Sequence, residues 1–324
     1  MKDNVITLYN YYSIKEGAKA ETHRPLFEEF TSEGYEGSYI ADTLYRNALA
    51  ELGDVIWVKH HDDYQKNVDQ FKFGNEADYE ALYGGYPTFV PAVCFDRRRI
   101  TGFEEPGPAY FSPYREETTA ILAQLGETLT FIDLDIQPTV QAATGKLEVR
   151  IKGHAGVNEM PLQNSLRMTT WLVEDSIPTT TQKGCPEPQF IQNGVIWGDP
   201  IDITNYDFER SYTADLDPSW NRKHLRVVSF VSNWDENNVR NRSVYNTNQA
   251  PVLDLTAIDD LANEPLQPRV EVLGSTLATT NGARIVGVYD MSGREVSATQ
   301  LSKGVYIVKV TNGSVTATQK VFIP

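Results

Sequence analysis

A chain of 324 residues is too long for one ordinary core and asks for two or three domains, and its 40% hydrophobic content is ample for globular folding. Acidic residues outnumber basic ones 44 to 29, giving a net charge of -15; this argues against binding to nucleic acid or anionic membranes and suits a soluble surface protein or one that takes up cations. No window approaches the roughly 18 apolar residues of a membrane span, so no transmembrane segment is expected.

Residues 1–23 form a polar N-terminal extension, expected to wrap an edge or stay mobile, with neither an apolar signal core nor a lipoprotein-type cysteine. Alternating elements follow over 24–126. Leu26–Phe30 is strand-like. Ser38 is the expected N-cap of a helix from Tyr39 to Leu52, with Ile40, Leu44, Ala48 and Leu52 as its buried stripe and Gly53 as its stop. Val55–Val58 is an apolar run bounded by charge, as expected of a covered central strand. Asn75–Tyr83 reads as a second helix and Pro91–Asp96 as a third strand, with a paired strand through Arg99–Thr101 and a helix over Glu116–Leu125. That order, strand-helix-strand-helix-strand-strand-helix, is the order of a thioredoxin fold.

Residues 127–253 read as strands only, including Lys146–Ile151, Leu166–Val173 and Leu225–Val231, separated by loops rich in Asn, Asp, Pro and Gly, the pattern of an antiparallel β-sandwich. Residues 254–268 read as a linker. Residues 269–324 hold short β-branched strands with turns at Met291–Arg294 and Asn312-Gly313, as in a small Ig-like sandwich. The fold class expected is therefore α+β and multidomain: a thioredoxin-like domain, a β-sandwich and a small C-terminal sandwich.

The C-terminal stretch resembles the sorting domain of Bacteroidetes type IX secretion cargo. The matching features are the "VYDMSGREV" hairpin, the "LSKGVYIVKV" strand and the closing "QKVFIP", which make Tyr289, Gly293, Gly304, Val305, Tyr306 and Lys320 the candidate sorting-signal residues. The resemblance implies export to the cell surface by the type IX machinery, with a signal peptide removed from or left out of this chain. Residues 24 onward also resemble the twenty-eight-kilodalton outer membrane protein family of Bacteroidetes, through Glu28, Phe30 and Thr31, through Asp96-Arg97, and through "TTWLVEDSI" and "RVVSFVSNWDENNVRNRSVYNT". On that family's pattern Tyr35 and Ser38 occupy the two cysteine positions of a redox site, and Pro91 falls where such folds place a cis-proline facing it. Neither Tyr35 nor Ser38 can form a disulfide, so a thioredoxin scaffold without redox chemistry is expected, with a groove at Tyr35, Ser38 and Pro91 as a candidate peptide or ligand site. The family's His-Asn-His-type element is replaced by Gln192-Asn193-Gly194.

His60-His61-Asp62-Asp63 is the densest ligand cluster, but adjacent strand residues face opposite ways, so a solvated strand end is expected there. His154 and His224 are isolated. Asp215, Asp217 and Asp235 lie in acid-rich loops and are calcium candidates, although no EF-hand register is present. Trp197, Trp220 and Trp234 could stack on sugars or fill a sandwich core. Asp175-Ser176-Ile177 fits Bacteroidetes O-glycosylation at Ser176; Asp42-Thr43-Leu44 fits too but is expected to face the core. Cys94 reads as a buried, inert thiol, and Cys185 as a loop residue. The function expected is a non-catalytic cell-surface binding or assembly component, with an outer-membrane or surface protein as partner. The rival readings are an adhesin for glycans or host protein acting through sandwich loops, and a hydrolase using paired carboxylates.

Overall fold

In the strand β1 (Leu26–Thr31) every residue is buried, so side chains alternating to opposite faces must meet cover on both. The computed structural model describes residues 14–72, 80–84, 88–100, 107–111, 115–141, 143–158, 166–177, 198–203, 205–235, 242–252, 269–273, 276–280, 283–290, 292–298, 301–312 and 316–323. The chain divides into two units, Met1–Leu255 and Thr256–Pro324. In the first, β1 is followed by α1 (Glu36–Leu49), β2 (Ile56–His61), β3 (Ala92–Phe95), β4 (Tyr110–Phe111) and α2 (Arg115–Gly126). The strands form one sheet in the order β2-β1-β3-β4, with β1 and β2 parallel and β3 antiparallel to both β1 and β4.

One face of this sheet, with Phe27, Val93 and Phe95, packs on Ala41 and Tyr45 of α1 and on Ile121, Leu122 and Leu125 of α2. Helix α1 begins three residues earlier than the sequence suggests and ends at Leu49; Tyr35, not Ser38, is its N-cap, and Gly53 lies beyond it. Its buried stripe is Ala41, Tyr45 and Ala48, while Ile40 is 56% exposed. The rotation brings the Tyr45 ring edge-on to Phe27, with centroids 5.1 Å apart. The fourth strand is Tyr110–Phe111 instead of the expected Arg99–Thr101: Arg99 and Ile100 are in loop, and the Ile100 amide donates to the Tyr110 hydroxyl at 2.7 Å. Thr101 and most of the expected helix at Asn75–Tyr83 lie outside the described residues, and Ala81–Tyr83 forms a short 3-10 turn.

After α2 come strands alone: β5 (Ile132–Val140), β6 (Leu147–Ala155), β7 (Leu166–Glu174), β8 (Asp199–Pro200), β9 (Asp207–Ala214), β10 (Leu225–Asn233) and β11 (Val244–Pro251). They make two antiparallel sheets, β11-β10-β7-β8 and β5-β6-β9. Met168, Leu172, Val227 and Val231 of the first pack on Ile136, Leu147, Val149 and Ile151 of the second, giving a sandwich. From the opposite face of the same sheet, Trp171, Val173, Val228 and Phe230 pack on Leu26, Phe30, Ile56, Val58, Ala92 and Cys94. The β11-β10-β7-β8 sheet is thus covered twice, which is why β7 and β10 are buried along most of their length. Residues on both sides of position 126 share one core.

The seam between the sandwich sheets is closed by side-chain amides. Asn246 Nδ2 donates to the Ile132 carbonyl at 2.7 Å and the Thr22 carbonyl at 3.1 Å, and its Oδ1 accepts from the Arg24 and Thr247 amides, each at 3.0 Å. Asn248 Nδ2 reaches the Leu134 carbonyl in the same way. Upstream, Lys15 Nζ donates to the carbonyls of Ala155, Ile203 and Asn205 at 3.1, 2.7 and 3.2 Å, so the described part of the extension lies along this sandwich.

In the second unit β12 (Arg269–Leu273) pairs with β13 (Thr276–Thr280), and β14 (Arg284–Asp290), β15 (Gly304–Thr311) and β16 (Thr316–Ile323) form an antiparallel sheet. Val270, Val288, Tyr306, Val308, Val310 and Val321 belong to its core, and the Gln319 amide bonds both backbone groups of Val270 at 2.8 and 3.0 Å. The proposed linker lies outside the described residues.

Asn246→Ala removes four hydrogen bonds from a residue that is 1% exposed and strands their backbone partners. It is expected to lower the unfolding free energy by about 3 kcal/mol in urea titrations, and a loss below about 1 kcal/mol would mean that the seam is not held by this amide.

Candidate functional site

The turn from β1 into α1 is where the expected groove falls. The Tyr35 backbone is extended at φ -95 and ψ 119, and its ring stands edge-to-face on Tyr64 at 5.0 Å. Ser38 is fully buried: its Oγ accepts the Ser32 amide at 3.1 Å, and its own amide donates to the Tyr35 carbonyl at 3.1 Å. Ser38 therefore fastens the turn and offers no surface, which leaves Tyr35 and Pro91, both partly exposed, as the members able to meet a ligand. The Val90–Pro91 peptide is cis. Tyr35 and Phe89 pack on the core shared between the sheets. Cys94 sits in that core on β3, fully buried, and burial pushes its thiol well up, so it supplies no thiolate to the turn.

Beneath the turn lies a layer of buried charge. Glu28, fully buried on β1, accepts from Arg97 Nε at 2.8 Å and Nη2 at 2.7 Å, a two-pronged pair, and from His60 Nε2 at 3.0 Å. Asp96 and Arg97, at φ 50 and 49, turn the chain sharply after β3 and carry this guanidinium back over the sheet. It lies over Phe230 at 4.8 Å and Trp171 at 5.7 Å, while His60 stacks on Phe30 at 4.9 Å. Burial would raise the Glu28 carboxyl, but Arg97, by charge and hydrogen bond, and then His60 hold it down at about 2. Burial lowers His60, so a neutral ring donates its Nε2–H to a carboxylate whose counter-ion is Arg97.

The opposite face of the same strands carries Glu29 and Lys59, and α1 brings Asp42 against it, each buried. Lys59 pairs with Asp42, which also takes Arg46 Nη2 at 3.1 Å, and the Lys59 ammonium lies 4.2 Å over the Trp57 ring. Burial pushes Glu29 up to about 8 against the pull of Lys59. The solvated strand end expected at His60–Asp63 is overturned. His60 goes to Glu28 on one face, and His61 pairs with buried Asp69 at 2.8 Å on the other. Asp62 and Asp63 alone of the four keep side-chain exposure, 21% and 48%, and pair with Lys72 at 2.6 and 3.3 Å. The sequence signal for this layer is weak: Glu28-Glu29 in an apolar strand needs partners, but those partners are remote in the chain.

The calcium candidates are not gathered. Asp215 pairs with Lys146 at 2.8 Å, Asp217 accepts the Ser219 amide and hydroxyl at 2.8 and 2.6 Å, and the Asp235 carbonyl faces Arg242. Among the described residues no group of three or more His, Cys, Asp or Glu converges on a metal position. Trp220 packs on the sandwich core, and Trp234 carries the guanidinium groups of Arg167 and Arg242 over its ring at 4.0 and 4.1 Å, in place of a bare face for sugar. Ser176 is exposed at φ 57, beside an Asp175 held by Arg226 at 2.6 Å. Thr43, expected to face the core, is exposed, while its neighbour Asp42 is buried. Cys185, Trp197 and Gln192-Asn193-Gly194 lie outside the described residues.

The sorting-signal candidates divide by role. The Asp290 carboxylate accepts the Ser292 and Arg294 amides at 2.9 and 3.1 Å, and Gly293 at φ 83 completes that turn; Tyr289 bridges Glu295 across it. Tyr306 is buried and its hydroxyl donates to the Ser302 carbonyl at 2.9 Å. Lys320 is exposed and pairs in register with Ile307, while Gly304 and Val305, both partly exposed, start β15 opposite Ile323 and Phe322.

No protein-family profile and no curated protein matches the chain. Among solved structures it is similar to HBP35 of Porphyromonas gingivalis, with a TM-score of 0.57 and 17% sequence identity over 94% of this chain and 99% of that one, a likeness of fold. A domain of the outer membrane lipoprotein Omp28 from Porphyromonas gingivalis overlaps 38% of this chain and 88% of its own at 20% identity, with a TM-score of 0.26, too low to carry an argument.

Arg97→Leu leaves the Glu28 carboxylate buried without its counter-ion and is expected to cost about 3–5 kcal/mol, most of it recovered in the Glu28→Leu, Arg97→Leu double variant. A single variant as stable as the parent would show that the pair carries no weight. The pH dependence has two limbs. Glu28, lowered to about 2, contributes stability that is present above its ordinary 4.5 and lost as the pH falls toward 2. Glu29, raised to about 8, contributes stability that is present below 4.5 and lost as the pH rises to about 8. Glu29→Gln should therefore match the parent near pH 4.5 and gain on it by about 1.4 kcal/mol per pH unit until Glu29 ionises; a difference that stays flat with pH would remove Glu29 from this role.

Proposed function

We propose that this protein is a non-catalytic cell-surface component, built on a thioredoxin-like scaffold fused to a β-sandwich and exported by type IX secretion, that binds or assembles with another surface protein. The observation that carries the non-catalytic reading is the β1–α1 turn. Its two redox positions are Tyr35 and Ser38, and the Ser38 hydroxyl is engaged by the Ser32 amide. The sheet order β2-β1-β3-β4, with β1 and β2 parallel and two helices on one face, supports the scaffold. Fold similarity to HBP35 over nearly the whole of both chains supports a shared architecture. No bound metal is required by this reading.

Export rests on the C-terminal unit, whose strands and turn keep the order of the sorting-domain motifs. The docking face we assign to the partner is the partly exposed Tyr35–Pro91 side of the turn.

In an insulin-reduction assay with dithiothreitol the purified chain is expected to add nothing to the rate of dithiothreitol alone, and turnover that tracks its concentration would overturn the redox-dead reading. Residues 256–324 fused to a reporter carrying a signal peptide are expected to bring it to the surface of a type IX-competent cell, whereas retention in the periplasm would defeat the sorting assignment.

A further inference from the structure

Glu29, Lys59 and Asp42 meet out of solvent on the helix-covered side of the β1–β2 pair. Glu29 and Lys59 are direct partners in the parallel register, so their side chains leave the same face, and α1 lays Asp42 against them. Lys59 Nζ contacts Asp42 Oδ1 with the two side chains 0% and 2% exposed, while Asp42 Oδ2 takes Arg46 Nη2 at 3.1 Å. The Trp57 ring centroid lies 4.2 Å from the ammonium. Phe27 packs beside Trp57 and Tyr45, with centroids 6.4 and 5.1 Å apart. An amine and a carboxyl group are therefore held in contact inside an aromatic enclosure.

That enclosure changes their chemistry. Out of water an ion pair loses much of its advantage over the neutral amine and acid, so the ammonium proton can pass to Oδ1 and leave a nucleophilic amine beside Cγ. Contact replaces the usual bimolecular encounter. Burial pushes Glu29 up to about 8, so it carries a proton at neutral pH, and Lys59 and then Asp42 are the charges that act on it most strongly.

We propose that Lys59 and Asp42 close an intramolecular isopeptide bond, with Glu29 as proton relay and Arg46 facing the oxyanion. Lys59 Nζ bonds to Asp42 Cγ, and the carbonyl electron pair moves onto Oδ2, against the Arg46 guanidinium. One Nζ proton passes to one Glu29 oxygen while the other Glu29 oxygen gives its proton to Oδ1. The pair then returns from Oδ2, the Cγ–Oδ1 bond breaks, and Oδ1 leaves as water. Glu29 ends as it began. The product is a neutral amide tying α1 to β2, made without oxidant, reductant or second substrate. It is a single event within the chain, independent of the docking, export and redox readings. The two pH limbs of stability belong to the unlinked chain, in which Lys59 and Asp42 keep their charges.

The test is intact-mass spectrometry of the full chain after reduction with dithiothreitol, followed by tryptic mapping. The parent is expected one water, about 18 Da, below its sequence mass, with a branched peptide joining Asp42 to Lys59. Lys59→Met and Glu29→Gln, each checked for folding by circular dichroism, are expected at their full masses. A parent at its full sequence mass, a water loss that maps elsewhere or survives in Lys59→Met, or closure unchanged in Glu29→Gln, would overturn the proposal.

Discussion

The Glu28 carboxylate is the constraint around which the first unit is arranged. A charge with no solvent exposure is tolerable only with a counter-ion and hydrogen bonds of good geometry, and here Arg97 supplies two donors and His60 a third. Meeting that need fixes the reversed turn after β3, the orientation of His60 on β2, and the aromatic surface of Trp171 and Phe230 that covers Arg97 from the next sheet. A misdocked sandwich would leave the guanidinium without that cover. The layer thus supports one register between two sheets that apolar packing alone would hold less selectively.

That docking also covers the β1–β4 sheet. One face of the β1–β4 sheet is taken by two helices and the other by the sandwich. What remains near the β1–α1 turn is an edge, with Tyr35 and Pro91 partly exposed and Ser38 withdrawn into the turn. At that turn the Ser38 hydroxyl is taken by the Ser32 amide.

Much of the element order was legible from local pattern. β1, β2, β3, β6, β7 and β10 follow apolar runs or alternation, and α2 follows its own periodicity. The N-terminus of α1 was not, because Ser38 looks like a cap, yet its hydroxyl accepts the Ser32 amide, upstream of the helix. Its stripe was misplaced for a related reason: Lys59, contributed by β2, buries Asp42 beside Ala41 and Tyr45, and a polar residue on the inner face is not registered by an apolar period through Ile40 and Leu44. His60 and His61 were misread as solvated because Glu28 and Asp69, the groups that make their burial affordable, come from elsewhere in the chain.

The sequence by itself determined β1, β2, β3, β6, β7 and β10, the turn over Met291–Arg294 and the absence of cysteine at positions 35 and 38, since hydrophobic period, turn chemistry and residue identity are local properties. Tertiary structure alone decided which buried charges meet, that β7 and β10 are covered on both faces, and that Arg167 and Arg242 both lie over Trp234. Those are contacts between residues far apart in the chain, and no local pattern encodes the partner of a side chain whose neighbour is chosen only when the sheets dock.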